Sequence, residues 1–162
     1  MAKKIPLQPE NFELETNTVW AFPDRGKWAT HDAKYRGNWS PYIPRNLILR
    51  YSTEGDTVLD PFVGGGTTAV EAKLTNRNFI GFDINPQAVE LSRKKCEFEF
   101  DTTATTQIDI ADVRKLPLDN NSVDLICAHP PYADIIHYSE NIERQKNFCL
   151  KWEKWLTNFI VC

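Results

Sequence analysis

Residues 56–85, DTVLDPFVGGGTTAVEAKLTNRNFIGFDIN, constrain the fold of this chain more than any other stretch. They begin with a short run of β-formers that stops at Asp60-Pro61, because proline lacks a ladder donor and keeps the residue before it extended. Three glycines come next, and Thr67 is well suited to cap a helix that runs through about residue 74. The pattern predicts a strand, a tight loop and a helix in succession.

The glycine loop and the strand after this helix together predict a ligand. Gly64, Gly65 and Gly66 allow a tight turn and let the backbone approach a ligand with no Cβ in the way. Residues 79–82 form a second buried strand that ends at Asp83, 19 residues after Gly64. An acid at the carboxyl end of a strand beside such a loop can accept hydrogen bonds from a ribose diol. The stretch therefore predicts a cofactor that contains adenosine.

The glycines alone leave the kind of cofactor open. Gly64-x-Gly66-x-x-Ala69 also fits the dinucleotide fingerprint, with Asp83 in the place of the ribose acid. A nicotinamide-dependent dehydrogenase and a glycine-rich turn without function are the two alternatives at this point.

Further helices and strands alternate along the chain. Apolar spacing predicts a short helix at residues 45–52, with Tyr51 on its core side. Asn85-Pro86 predicts the start of a further helix at residues 86–98. Residues 108–111 are a third strand, and VDLICA at 123–128 is a fourth, buried one, since short apolar runs with β-branched members suit parallel sheets. The alternation predicts an α/β fold around a parallel sheet.

Two motifs in this chain are specific enough to resemble those of one enzyme family. Residues 60–68, DPFVGGGTT, match in every place the DPFxGxGTT cofactor loop of the S-adenosylmethionine-dependent DNA amino-methyltransferases. Residues 129–132, HPPY, follow the fourth strand and are similar to the family's (Asn/Asp/Ser)-Pro-Pro-(Tyr/Phe) catalytic motif, with the first place changed to His. The resemblance implies a Rossmann-like, doubly wound sheet of the S-adenosylmethionine-dependent methyltransferase type, of which this chain supplies about four parallel strands.

S-adenosylmethionine is the cofactor that the resemblance implies. The loop would hold it, the acid after the second strand would bind its ribose, the residues after the third strand would meet its adenine, and residues 38–48 would close over its methionine half. The implied contacts are Trp39, Ser40, Asp60, Pro61, Phe62, Gly64, Gly66, Thr67, Thr68, Asp83, Ile84, Asp112 and Val113.

The same resemblance assigns catalysis to the motif His129-Pro130-Pro131-Tyr132. An exocyclic base amine is a poor nucleophile, and two acceptors for its hydrogens favour the lone-pair-bearing nitrogen. The neutral ring of His129 and the carbonyl of Pro130 would be these acceptors, while Tyr132 would stack on a base drawn out of the duplex. His129 accepts only while neutral, so the rate is expected to fall as the pH drops through roughly 6.5. Because His matches neither the adenine nor the cytosine enzymes, the target base stays open.

Composition and charge limit the number of domains and the kinds of partner that we expect for this chain. The chain has 162 residues, 41% of them apolar, which suits about one domain, and a net charge of −3, which is unhelpful for gripping nucleic acid. Residues 24–50 nevertheless carry a local excess of four basic side chains, interleaved with aromatics. This segment predicts either contacts with a nucleic-acid strand or a loop whose aromatics are buried against the domain.

We divide the chain into an N-terminal arm with the basic and aromatic loop, residues 1–37, and a cofactor-binding and catalytic part, residues 38–162.

The chain is expected to be one part of a split or partial enzyme. A complete sheet of this type has about seven strands, and four are found here. A second polypeptide, or a missing C-terminal part, would supply the other strands and most contacts with DNA. An apolar helical face at residues 148–159 would otherwise be exposed. Other readings are methylation of RNA or of a protein glutamine, an inactive cofactor-binding subunit, and a fragment of a longer product.

Targeting and metal signals are weak in this sequence. No apolar run is long enough for a membrane span and the first residues are too polar for a signal peptide, which predicts a cytoplasmic, prokaryotic-type protein associated with the nucleoid through DNA. The four cysteines lie far apart, so we expect reduced thiols and no metal.

Overall fold

The computed structural model describes residues 5–22 and 24–131. Helices and strands alternate through most of this range, as the sequence predicts. In chain order they are α1 (Tyr42–Tyr51), β1 (Thr57–Asp60), α2 (Thr67–Leu74), β2 (Asn78–Asp83), α3 (Pro86–Lys95), β3 (Thr106–Ile110), a 3-10 turn (Val113–Lys115) and β4 (Leu125–Ile126).

The four strands form one parallel sheet in the order β3-β2-β1-β4. Leu59 at the centre of β1 lies opposite Ile80 on one side and Ile126 on the other. The chain adds β2 and β3 on one side of β1 and then returns to add β4 on the other. This reversal is the topological switch point of a doubly wound sheet, and ligands bind outside the carboxyl ends of the strands there. The predicted Rossmann-like α/β fold with four parallel strands is confirmed.

Helix α2 lies at the centre of the packing. It contacts β1 and β2 as well as α1 and α3, and seven of its eight residues are buried. The interior around it is formed by apolar side chains from every layer, among them Ile48, Val58, Val70, Phe79 and Val89. Because both faces of α2 are covered, its sequence carries almost no helical amphipathicity. The buried helix also fixes the position of the glycine loop that precedes it.

Several element boundaries differ from the sequence predictions. The N-cap of α2 is Gly66, in the left-handed conformation at φ 80°, and Thr67 is the first helical residue. Helix α1 starts at Tyr42 because proline is tolerated in a first turn, whose N–H groups have no partner within the helix. The prediction that Tyr51 faces the core is wrong, since this side chain at the helix end is 50% exposed.

The fourth strand is shorter and less buried than the run at 123–128 predicts. Its regular pairing covers Leu125–Ile126, and both side chains are half-buried. Backbone hydrogen bonds from Asp124 to Thr57 and from Cys127 to Leu59 continue the pairing at either end. Burial in a parallel strand comes from neighbours on both sides, and within the described residues β4 is at an edge of the sheet.

A buried carboxylate ties the segment before α1 to α2. Glu71 is fully buried, and its Oε1 lies 2.7 Å from Nε1 of Trp28 and 2.6 Å from Nε2 of His31. Its Oε2 accepts a hydrogen bond of 2.8 Å from Nη1 of Arg45, which is 9% exposed. A buried charge is tolerated where it is paired and its remaining lone pairs are occupied. The cluster of Trp28, His31, Arg45 and Glu71, here called the Glu71 cluster, therefore fixes how this segment crosses the helix.

The Glu71 cluster decides between the two interpretations of residues 24–50. Trp28 is 3% exposed and belongs to the core, and Arg45 neutralises a buried acid. The segment thus follows the second interpretation at these positions, in which its aromatics are buried against the domain. Lys27, Lys34 and Arg36 remain exposed and give it a positive surface.

Some sequence expectations concern parts that the structure does not describe. The apolar pattern at 148–159 and two of the four cysteines lie outside the described residues, whereas Cys96 and Cys127 are buried free thiols. No helix within 5–22 and 24–131 has the length and apolar character of a membrane span. The same ranges contain no group of three His, Cys, Asp or Glu side chains able to hold a metal ion.

Replacing Glu71 with glutamine should destabilise the chain strongly. Glu71→Gln leaves the guanidinium of Arg45 buried without its counter-charge, and removing one partner of a buried ion pair costs about 3–5 kcal/mol. Urea denaturation of the full chain measures the change in the free energy of unfolding. Glu90→Gln, which breaks the exposed pair with Lys94 on α3, is the matched control and should leave that free energy unchanged. Equal stability of the two variants would contradict the role given to Glu71.

Candidate functional site

A cavity of about 180 Å³ lies at the carboxyl ends of the strands, at the switch point of the sheet. The loops after all four strands contribute to its lining, as does the segment before α1. The sequence-predicted site residues that line it are Trp39, Asp60, Pro61, Phe62, Gly64, Asp83, Ile84, Asp112, Val113, His129 and Pro131.

The glycine loop needs its glycines for two different reasons. Gly64 has φ +47° and Gly66 has φ +80°, backbone conformations that side chains disfavour. A Cβ on Gly66 would lie 3.0 Å from Cα of Ser92 on α3, so this glycine also allows the loop to pack against that helix. The Ser92 hydroxyl donates to the carbonyl of Gly64 at 2.8 Å. The loop is therefore shaped before any ligand binds.

Asp83 at the end of β2 is held directly against this loop. One carboxylate oxygen accepts from the backbone N–H of Gly64 at 3.0 Å, and the other accepts from that of Asn85 at 2.9 Å. Burial raises the pKa of this carboxyl above its ordinary value, although the backbone donors act against the shift. A carboxylate offers about four lone-pair sites, and the backbone donors Gly64, Asn85 and Ile84 leave room for a ligand hydroxyl. The neighbouring Ile84 is 44% exposed and offers an apolar surface at the cavity.

Asp60 at the end of β1 is the most buried acid of the cavity lining. It is 2% exposed, and its oxygens accept from the Thr68 hydroxyl at 2.5 Å and from the backbone N–H of Phe62 at 2.9 Å. Burial raises its pKa to about 7 in spite of these two hydrogen bonds. The carboxyl therefore changes charge near neutral pH, which gives the cavity a group that responds to a cationic ligand.

The segment before α1 forms one wall of the cavity. Asn38 accepts a hydrogen bond of 2.6 Å from the hydroxyl of Thr67, which ties this wall to the start of α2. A Cβ on Gly65 would lie 2.8 Å from Cβ of Tyr35, so the middle glycine of the loop is required by the wall. Ser40 does not line the cavity, and its hydroxyl donates instead to the carbonyl of Arg25 at 2.9 Å.

The loop after β3 brings a charged pair to the cavity. The carboxylate of Asp112 accepts from the backbone N–H of Arg114 at 3.0 Å and from its Nε at 2.9 Å, and both residues line the cavity. Val113 between them is 7% exposed and also lines it. The loop therefore presents a carboxylate edge and a guanidinium beside an apolar side chain.

His129 comes from the loop after β4 and faces the same cavity. Its imidazole stacks on the indole of Trp39, with ring centroids 5.0 Å apart and planes 4° from parallel. Burial lowers the pKa of this imidazole below its ordinary value, so the ring is neutral at pH 7. A neutral imidazole has one nitrogen that accepts a hydrogen bond.

The remaining predicted site residues fall into two groups. Gly66, Thr67, Thr68 and Pro130 do not line the cavity, although the first three shape the loop and its hydrogen bonds. Tyr132 lies outside the described residues.

Eight residues of the lining were not singled out as site residues from the sequence. Tyr35 belongs to the basic and aromatic segment, and Asn85 directly follows the predicted contact Ile84, so both carried a weak signal. The eight are Tyr35, Gly37, Asn38, Val63, Gly65, Asn85, Ala111 and Arg114.

Several known proteins named as methyltransferases are similar to this chain. The Type II methyltransferase M.BglI of Bacillus subtilis is 42% identical over 49% of this chain and 22% of its own length. The DNA adenine methyltransferase YhdJ of Escherichia coli is 31% identical over 74% of this chain and 40% of its own length. Among solved structures, TrmN from Thermus thermophilus has a TM-score of 0.49 at 30% identity, over 59% of this chain and 30% of that one. The chain thus spans less than half the length of these relatives.

Two family models match most of the chain between them. One is described as a methyltransferase domain and matches residues 52–152. The other is described as a DNA methylase, of the N6/N4 type, and matches residues 2–94. These residues include the glycine loop and Asp83, whose geometry is described above. The chain belongs to the DNA methylase family.

Proposed function

We propose that this chain transfers a methyl group from S-adenosylmethionine to the exocyclic amino group of adenine or cytosine in DNA. The observation that carries the proposal is the placement of the glycine loop, Asp83 and His129 around one cavity. These residues come from β1, β2 and β4, and the carboxyl ends of those strands bring them to the switch point of the sheet.

The residues of the cavity fit S-adenosylmethionine. Asp83 would accept hydrogen bonds from the ribose hydroxyls, and Ile84 and Val113 would cover the adenine ring with apolar surface. Asp60 would face the positive charge of the cofactor, because a buried carboxyl favours a cation nearby when it ionises. When bound, the cofactor supplies a methyl group already activated by its positively charged sulfur.

The chain's own contribution to the transfer would be two hydrogen-bond acceptors for the target amine. His129, neutral at pH 7, would accept one hydrogen of the target amine through a ring nitrogen, and the carbonyl of Pro130 would accept the other. Accepting both hydrogens favours the nitrogen geometry in which the lone pair is directed at the methyl group, and acceptors fixed in advance need no reorganisation. The proline pair suits this position because the ring of Pro130 fixes its φ and the following Pro131 restricts its ψ, which together limit the direction of the Pro130 carbonyl. Tyr132 would stack on the base once it leaves the duplex.

A second polypeptide, or a further part of the same one, would complete the enzyme. The described sheet has four strands, and the chain spans 22% and 40% of the lengths of the Type II methyltransferase M.BglI and the DNA adenine methyltransferase YhdJ. The added part would supply the other strands and most of the contacts with DNA. Exposed Lys27, Lys34 and Arg36 are the contribution that this chain would make to phosphate contacts.

Transfer of a labelled methyl group tests the proposal. The chain, alone and with its genomic neighbours, is incubated with labelled S-adenosylmethionine and with DNA, RNA or protein, and methylated DNA is digested to nucleosides. Label on the amino group of adenine or cytosine is the expected result, and the nucleoside also identifies the base. Label on RNA or on a glutamine side chain, or cofactor binding without any transfer, would contradict it.

The methylation rate should fall at acid pH, because His129 takes up a proton there and can no longer accept a hydrogen bond. Because burial lowers the pKa of this imidazole, the acceptor stays neutral down to a pH below 6.5 and is lost as the ring takes up a proton. His129→Asn keeps an acceptor that does not titrate, so its rate should stay flat over that range, while His129→Ala should be slow at every pH. Single-turnover rates at saturating cofactor measure this. A wild-type acid limb that persists in His129→Asn would exclude the role.

Binding of S-adenosylmethionine should tighten as the pH rises through about 7, the pKa to which burial raises Asp60. Below this pH the carboxyl is protonated and its attraction for the positive cofactor is lost, by up to about tenfold in affinity per pH unit. Calorimetric titrations at pH 6, 7 and 8 measure the effect. Asp60→Asn has the same shape without the charge and should remove the dependence. An equal dissociation constant for the wild type at pH 6 and pH 8 would contradict this role.

A further inference from the structure

The contact between Trp39 and His129 joins two distant parts of the chain. Trp39 precedes α1, and His129 follows β4. Their rings are stacked at a centroid distance of 5.0 Å with an angle of 4° between planes, and both residues line the cavity. Aromatic rings at this spacing attract each other, and they limit the rotation of one plane against the other.

Of the two residues, Trp39 is the one that further contacts hold in place. Its backbone carbonyl accepts a hydrogen bond of 3.0 Å from Nη2 of Arg25, which also donates to the carbonyl of Asn38 at 2.5 Å. The Asn38 side chain is bonded to Thr67 at the start of α2, and the indole packs on the hydrophobic core. His129, in contrast, lies in a loop that follows a strand of two paired residues.

We propose that Trp39 is a positioning residue, whose indole fixes the plane of the His129 imidazole so that a ring-edge nitrogen meets the target amine. The proposal rests on the methyl transfer described above. An imidazole nitrogen accepts a hydrogen bond in the plane of its ring, so a rotated ring would no longer direct its lone pair at the amine. Stacking occupies a face of the ring and not the edge that carries its nitrogens.

Burial of the imidazole agrees with this role. It also makes the pKa of His129 a measurable sign of the contact with Trp39. His129 is half-buried and burial lowers its pKa, and the stacked indole covers one face of its ring. The other charged groups of the same cavity lining are Asp60, Asp83, Asp112 and Arg114. Removing the indole would admit water to the imidazole and raise its pKa towards the ordinary value.

The experiment follows the titration of His129 by NMR in the full chain, with its ring resonance assigned from the His129→Asn variant. Trp39→Ala should raise the pKa of His129 towards its ordinary value, and Trp39→Phe, which keeps a stacking ring, should raise it less. The pH at which methylation is lost on the acid side should rise with it, so the rate at a fixed pH in that range should fall in Trp39→Ala. At pH 8, the single-turnover rate should also fall in Trp39→Ala and recover in Trp39→Phe.

Trp20→Phe is the matched control, because this indole bonds to the carbonyl of Asn17 and does not line the cavity. It should leave both the titration and the rate unchanged. An unmoved His129 titration in Trp39→Ala would overturn the proposal, as would a Trp39→Phe variant as slow at pH 8 as Trp39→Ala. The NMR measurement needs no methylation, so a moved titration without transfer to any DNA would mean that the proposed function had failed and, with it, the positioning role.

Discussion

The buried carboxylate of Glu71 is the interaction on which the arrangement of the site depends. Three side chains from before the glycine loop, Trp28, His31 and Arg45, meet this one acid on α2. A buried carboxylate is costly without partners for its charge, so the segment that carries these side chains can cross α2 in few ways. The same segment then passes the cavity and forms one wall of it. The Glu71 cluster therefore helps to fix this wall of the cavity, whose Asn38 bonds to Thr67 four residues before Glu71 on the same helix.

The cavity itself follows from the reversal of strand order at β1. All strands are parallel, so their carboxyl ends and the loops after them gather at one edge of the sheet. Two acids there differ in their surroundings. Asp83 accepts from the backbone N–H groups of Gly64 and Asn85, whereas Asp60 is 2% exposed and burial raises its pKa to about 7. In the proposed function, Asp83 would bind hydroxyl groups and Asp60 would face positive charge.

Local contacts explain which parts of the fold could be predicted. The strand, glycine loop, helix and second strand are close in sequence, and proline, glycine and apolar runs determine them directly. The position of Asp83 at the end of the second strand also predicted that it lies beside the glycine loop, and its carboxylate accepts a hydrogen bond from the Gly64 N–H at 3.0 Å. The limits of α1, the exposure of Tyr51 and the shortness of β4 could not be predicted in this way, because they depend on neighbours contributed by other parts of the chain.

By itself, the sequence determined the α/β class, the parallel sheet and the loop that would hold a cofactor, since residue types and spacings of short range encode them. Only the tertiary structure decided that Trp28 and Arg45 are internal, that Tyr35 and Asn38 line the cavity, and that Trp39 covers His129. These outcomes depend on contacts between residues far apart in the chain. Such contacts leave no periodic signal, because each forms only after helices and strands have packed.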